Sequence, residues 1–162
     1  MRRSLVLTTI LGAMLAAGPA AAQGTTIAVL PFEDGGSYGQ DKASFEALRT
    51  SLQSSLVAEL SRASGASVVA RGEAGARVDA AAAVRMGKQA GARYVVFGNF
   101  IDHYGRFRLN ARIVDTQSGE IVRVVTNDDA ALQDRKDLPR IVQAVAAGIV
   151  EAIKLPARPA SS

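Results

Sequence analysis

Apolar positions follow two different rhythms along this chain, and the change from one to the other predicts the order of its elements. Thr25 to Phe32 reads TTIAVLPF. The unbroken apolar run Ile27 to Leu30, closed by Pro31, fits a strand buried on both faces. Glu33 to Gln40 is polar and contains glycine, so it reads as a loop. From Ser44 to Ala63, Phe45, Leu48, Leu52, Leu56 and Leu60 recur every three or four positions, which lays one stripe along a helix. Ser64-Gly65 is read as the stop, with the glycine in a left-handed cap. Ser67 to Arg71 is a second short strand.

Gly72 to Arg77 is a loop, and Asp79 is an N-cap for a helix over Ala80 to Ala90 with Gly91 as its stop. The apolar side of that helix is mostly Ala with Val84 and Met86, which predicts close packing against its neighbour. Arg93 to Ile101 is apolar on both faces and belongs at the centre of a sheet. Asp102 to Gly105 turns the chain. Arg106 to Asp115 then alternates: Phe107, Leu109, Ala111 and Ile113 point one way, and Arg106, Arg108, Asn110 and Arg112 the other. Thr116 to Gly119 is a hairpin turn into Glu120 to Thr126. Asn127 to Arg135 is polar. Asp137 starts a last helix with Pro139 in its first turn and Ile141, Val145, Ile149 and Ile153 as its stripe. The order is β-α-β-α-β-β-β-α. Two β-α-β crossovers imply parallel strands, and the hairpins add antiparallel ones. The expectation is an α/β (α+β) fold with a mixed five-stranded sheet and helices packed on it, the faces they cover being left open.

The first 22 residues follow a different pattern. Arg2 and Arg3 precede a short apolar run, Leu5 to Ala17, then Gly18-Pro19 and the small residues Ala20 to Ala22. Those are the three parts of a cleavable secretory signal. The run is shorter than the ~20 residues a membrane span needs. The expected division is a signal peptide at 1–22, one domain at 23–155 and a frayed tail at 156–162. No membrane span is expected after cleavage. The sequence has no cysteine, so neither disulfides nor lipidation at a leader cysteine is expected. The leader removes two of the 19 basic residues against 15 acidic, so the net charge of +4 falls to near +2. That balance does not argue for a nucleic-acid partner.

Candidate chemistry is thin. Gly35, Gly36 and Gly39 lie between a strand and a helix. Asp34 stands where a dinucleotide loop needs glycine, and no Gly-Lys-Ser/Thr follows. His103 is the only histidine and cannot with no Cys build a closed zinc site. No Gly-x-Ser-x-Gly accompanies it. The carboxylate neighbours Glu33-Asp34 and Asp128-Asp129 read as solvated. No catalytic, cofactor-binding or metal-binding residue is assigned. The distinctive feature is a row of arginines. Arg106, Arg108 and Arg112 share one strand face, and Arg123 on the partner strand is placed beside them. Like charges on one sheet face call for an acidic partner. The row is a solvated face, a face under a helix with acids such as Glu151, or a docking surface for an anionic partner.

Three segments in order also carry a family resemblance: IAVLPFED at Ile27 to Asp34, AGARYVVFGNF at Ala90 to Phe100, and RLNARIVDTQSGEIV at Arg108 to Val122. Together they resemble the bacterial envelope superfamily of CsgG, FlgO, LpoB-type activators and the TolB amino-terminal domain. The resemblance spans nearly all of residues 25–154. It implies a periplasmic or outer-membrane-associated domain that is not an enzyme and works by binding other envelope proteins in assembly, secretion or activation. It also implies that self-association is open. Two departures stand out: the absence of a lipidated cysteine, and a turn after Phe100 far too short for membrane-crossing hairpins. The expected place is the periplasm, with any outer-membrane association made through a partner. Two other readings remain from the residues: a small-ligand-binding or hydrolytic enzyme around His103 and Asp102, and a structural component of a surface appendage.

Overall fold

A strand that is apolar on both faces needs a layer above it, a layer below it and a strand on each side, and the first half of Tyr94–His103 has all of these. The computed structural model describes residues 24–73 and 77–153. The segments read as a leader (1–22) and a frayed tail (156–162) lie outside the described residues. The elements are β1 (Thr26–Val29), β2 (Glu33–Asp34), α1 (Lys42–Ala63), β3 (Ser67–Ala70), α2 (Ala80–Gln89), β4 (Tyr94–His103), β5 (Arg106–Asp115), β6 (Ile121–Thr126) and α3 (Leu138–Ala152). The sheet order is β3-β1-β4-β5-β6, with β2 also paired to β4. β3, β1 and β4 are parallel, while β4-β5 and β5-β6 are antiparallel.

The crossover β1-α1-β3 runs one way across the sheet, and β3-α2-β4 runs back the other way. Right-handed connections in opposite directions place their helices on opposite faces. Accordingly α1 joins α3 on one face, over Ile27, Val29, Val96, Phe100, Phe107, Leu109 and Ile113. α2 lies on the other, over Ala28, Leu30, Val95, Phe97 and Val114. The predicted stripes are the buried ones: Phe45, Leu48, Leu52, Leu56 and Leu60 in α1, and Ile141, Val145 and Ile149 with Ile153 beside α3. α2 buries only Ala83 and Gly87. A Cβ at Gly87 would run into Val95, so this small-residue helix lies close on the sheet and covers little of it.

Three local expectations are corrected. Glu33-Asp34, read as loop, forms β2 in parallel register with Asn99 and Phe100. Pro31 and Phe32 interrupt β1, and the chain then resumes along the same neighbour. α1 does not end on a left-handed Gly65. Ser64 is extended, and both its N–H and its hydroxyl donate to the Leu60 carbonyl, at 2.9 and 2.7 Å. At the first turn of α1 the cap is Asp41, whose carboxylate accepts from the Ser44 N–H at 2.7 Å. Finally, Asp102 and His103 continue β4, and the turn is only Tyr104-Gly105. The Asp79 cap is as expected, accepting from Ala82 N at 2.7 Å.

Two polar anchors fix the sheet ends. Asn127 is buried. Its oxygen accepts from Leu109 N at 2.7 Å, and its amide donates to the Phe107 and Leu132 carbonyls at 2.9 and 2.7 Å. At the opposite end Arg93 donates to Asp115 at 2.7 Å across the β4-β5 pair. The Arg93 hydrogen bond holds the Asp115 carboxyl below the ordinary carboxylate range.

Two outcomes follow from this packing. Phe97→Ala empties a buried ring site between α2 and the sheet, and should lower the unfolding free energy by about 3–5 kcal/mol, read from urea midpoints at constant slope. The Asp115 contribution is complete above the ordinary aspartate pKa of about 3.9. It is lost as pH falls through the lowered folded value. Asp115→Asn should therefore flatten the acid limb of stability against pH while leaving the shape near neutrality unchanged.

Candidate partner-binding surface

β4 and β5 pair residue for residue from Tyr94↔Asp115 to His103↔Arg106. In such a ladder facing partners share a side. Arg106, Arg108, Asn110 and Arg112 therefore share the face of Asn99, Ile101 and His103, which is also the face of α2. α2 stops at Val95, Phe97 and Val114, so the arginines stay exposed. At about 3.4 Å per residue the row from Arg106 to Arg112 spans roughly 20 Å. Arg112 stacks its guanidinium over Phe97, 6.0 Å from the ring centre. Arg106 donates to Gln133 at 2.9 Å. Arg108 has only Asp128, at 3.8 Å with both side chains more than half exposed, a pair worth little in water.

No helix with Glu151 covers this row, because α3 lies on the opposite face of the sheet. Arg123 does not join it either. β6 meets β5 with Ile121 opposite Val114 at one end. The register then shifts, so that Arg123 faces Ile113 and Val124 faces Arg112. The extra residue flips every later side chain to the other side. Arg123 consequently projects on the α3 side with Val125, and Val124, half exposed, stands beside Arg112. A regular ladder would have set Arg123 against Arg112, a repulsive like-charge pair.

A second cluster lies at the β4-β5 turn, where no sequence pattern points to it. Tyr104 and Gly105 both have positive φ, 51° and 92°, as a two-residue hairpin of this twist requires. Asn-Gly is the usual signal for such a turn, and Tyr at the first place hides it. Tyr38 reaches over from the loop after β2. It stacks on His103 at 4.0 Å between ring centres and meets Tyr104 edge-on at 5.2 Å. Ser37 accepts the Asp102 N–H at 2.8 Å. Asp102 is fully buried. One carboxyl oxygen accepts from Gly105 N at 2.8 Å and the other from Arg135 at 2.9 Å. Successive strand residues face opposite ways, so Asp102 and His103 do not form a pair despite their adjacency. Among the described residues no group of three or more His, Asp or Glu could hold a metal ion, and no helix is long and apolar enough to cross a membrane.

A family model for the second domain of HilA/YgeH-like transcriptional regulators matches residues 23–147. The chain belongs to that family. No curated protein matches the sequence. In fold, this HilA/YgeH-like domain is similar to PelC from Paraburkholderia phytofirmans, solved as a dodecamer. That match has a TM-score of 0.52 and 17% identity, and covers 86% of this chain and 95% of PelC. It is also similar to TolB from Acinetobacter baumannii, at a TM-score of 0.48 and 17% identity over 81% of this chain and 28% of TolB. The LpoB C-terminal domain from Escherichia coli gives 0.41 and 16% over 70% and 87%.

The Asp102 junction sets the shape of the turn. Asp102→Asn leaves one acceptor for Gly105 but turns a donor toward Arg135. It should cost about 2 kcal/mol, the range for a hydrogen bond to a charged group, measured as a shift in denaturant midpoint.

Proposed function

We propose that this HilA/YgeH-like domain is a non-catalytic, periplasmic accessory protein of the cell envelope that acts by binding another envelope protein. The observation that carries the reading is the row Arg106, Arg108 and Arg112 on a sheet face that no helix covers. Three like charges whose one ion pair among the described residues is the exposed Arg108–Asp128 contact at 3.8 Å gain most from an acidic surface brought by a partner. The exported location rests on the leader and on the sequence resemblance to envelope proteins, and the fold shared with PelC supports it. The partner is a protein and not a nucleic acid, and no cofactor is involved.

Self-association belongs to the same reading. The PelC structures are dodecamers. Here β6 is a sheet edge that exposes Ile121, Val122 and Val124, and open apolar edges pair readily with another strand. The size of the purified protein in solution tests this. A second reading comes from the family's own description: a module serving a transcriptional regulator inside the cell.

The test is capture of partners by in-cell cross-linking of a tagged chain, followed by mass spectrometry. Replacing Arg106, Arg108 and Arg112 together by Glu should reduce recovery of an envelope partner at least about tenfold, the effect of losing ~1.4 kcal/mol, with unchanged thermal unfolding. Arg123→Glu, on the other face, should leave recovery unchanged. Recovery of transcription machinery in place of envelope proteins would favour the second reading.

A further inference from the structure

Where parallel strands diverge to opposite sides, their carboxyl ends leave a crevice in which open α/β sheets bind ligands. Here β2 continues the line of β1 against β4 and closes that gap, so the open space falls further on, at the far end of β4. The loop after β2 and the Tyr104-Gly105 turn both sit at that end. Beside them opens a cleft of about 620 Å³, lined among others by Gln40, Tyr104, Arg106, Gln133, Asp134 and Lys136.

The walls of this cleft are unusual in two respects. Tyr104 is 79% exposed in a left-handed conformation that a bulky residue adopts only at a cost in free energy. Its ring lies on Gly39, where a Cβ would stand 2.6 Å from it. Gly39 itself has a φ of +95°. Two uncommon backbone conformations thus hold a mostly exposed aromatic ring at the mouth of a polar cleft, with Tyr38 and His103 stacked behind it. Covering Gly39 does not account for this, because so little of the ring is hidden.

The remaining lining defines the ligand. Arg106 and Lys136 are cationic. Asp134 offers a carboxylate, one oxygen of which caps Lys136 N at 2.8 Å. Arg135 is already committed to Asp102. The local excess of positive charge is therefore small, which suits a ligand with one or two negative charges better than a nucleic acid with one per nucleotide. Two glutamine amides and a carboxylate suit hydroxyl groups as donors and acceptors. An exposed tyrosine face suits the C–H face of a sugar ring. The geometry points to this cleft as a binding site for a carboxylate-bearing saccharide, its ring on Tyr104 and its carboxylate against Arg106 and Lys136. The cleft shares Arg106 with the proposed docking face along β5 and is otherwise separate from it.

The experiment is an NMR titration of the purified protein with tetragalacturonate. Maltotetraose serves as a neutral control and a short oligothymidylate as the nucleic-acid control. Saturable shifts of the amides of Gly39, Gly105 and Lys136 are expected with the uronate. Maltotetraose should bind at least about tenfold more weakly, the loss of one charge-assisted contact. Tyr104→Gly removes the ring and suits the positive φ, so it should fold with an equal or higher Tm yet lose uronate binding. Lys136→Gln should weaken it, and Arg112→Glu should not. Equal binding by Tyr104→Gly, equal binding of the neutral sugar, oligothymidylate binding in place of the uronate, or no binding at all would each overturn the assignment.

Discussion

Burial of β4 on both faces is the constraint on which the rest of this domain depends. A ten-residue strand with Val95 and Phe97 on one side and Val96 and Phe100 on the other cannot lie at a surface. It must be flanked by β1 and β2 on one edge and by β5 along its whole length on the other. That pairing then dictates which residues of β5 face the α1-α3 layer and which face away. Phe107, Leu109, Ala111 and Ile113 take the core side, so the arginines between them are displayed on the other by geometry alone.

What leaves them displayed is the size of α2. It is ten residues long, and its buried side is Ala83 and Gly87, so it nests on the first half of β4 and the Val114 end of β5. The rest of that face, along Arg106 to Arg112 of β5, has no helix over it. The same asymmetry leaves the β4-β5 turn projecting from the sheet. There Asp102, Arg135 and the loop around Tyr38 tie three chain segments to one point. The proposed docking face and the proposed ligand cleft thus sit side by side, one built on strand alternation and the other on a strained turn.

Much of this was legible in the sequence, for a physical reason. The stripes of α1 and α3, the Asp79 cap and the alternation of β5 each follow from a period that sequence carries directly. The element order follows from those, whereas the faces of the helices depend on the strand order, which no periodicity carries. What was not legible depends on single residues. Glu33 and Asp34 form a strand without apolar character, because they only extend the line of β1 beyond Pro31. Ser64 replaced the expected glycine cap with its own hydroxyl. Most consequential is the register shift opposite Ile113 and Val114. One extra residue sends Arg123 to the far face, and no periodicity in IVRVVT announces it. The cluster at Tyr104 was hidden in the same way, since Tyr-Gly is an uncommon signature for a turn with two positive φ angles.

On the proposed function, the uncovered face of β5 and β6 is where this domain meets its partner. A photo-activated cross-linker placed at Val124, beside Arg112 on that face, tests it most directly. A second one at Ser55, on the exposed side of α1, is the comparison. A discrete cross-linked partner is expected to form in cells from position 124 and not from position 55. Cross-linking of the same partner from position 55 alone would contradict it.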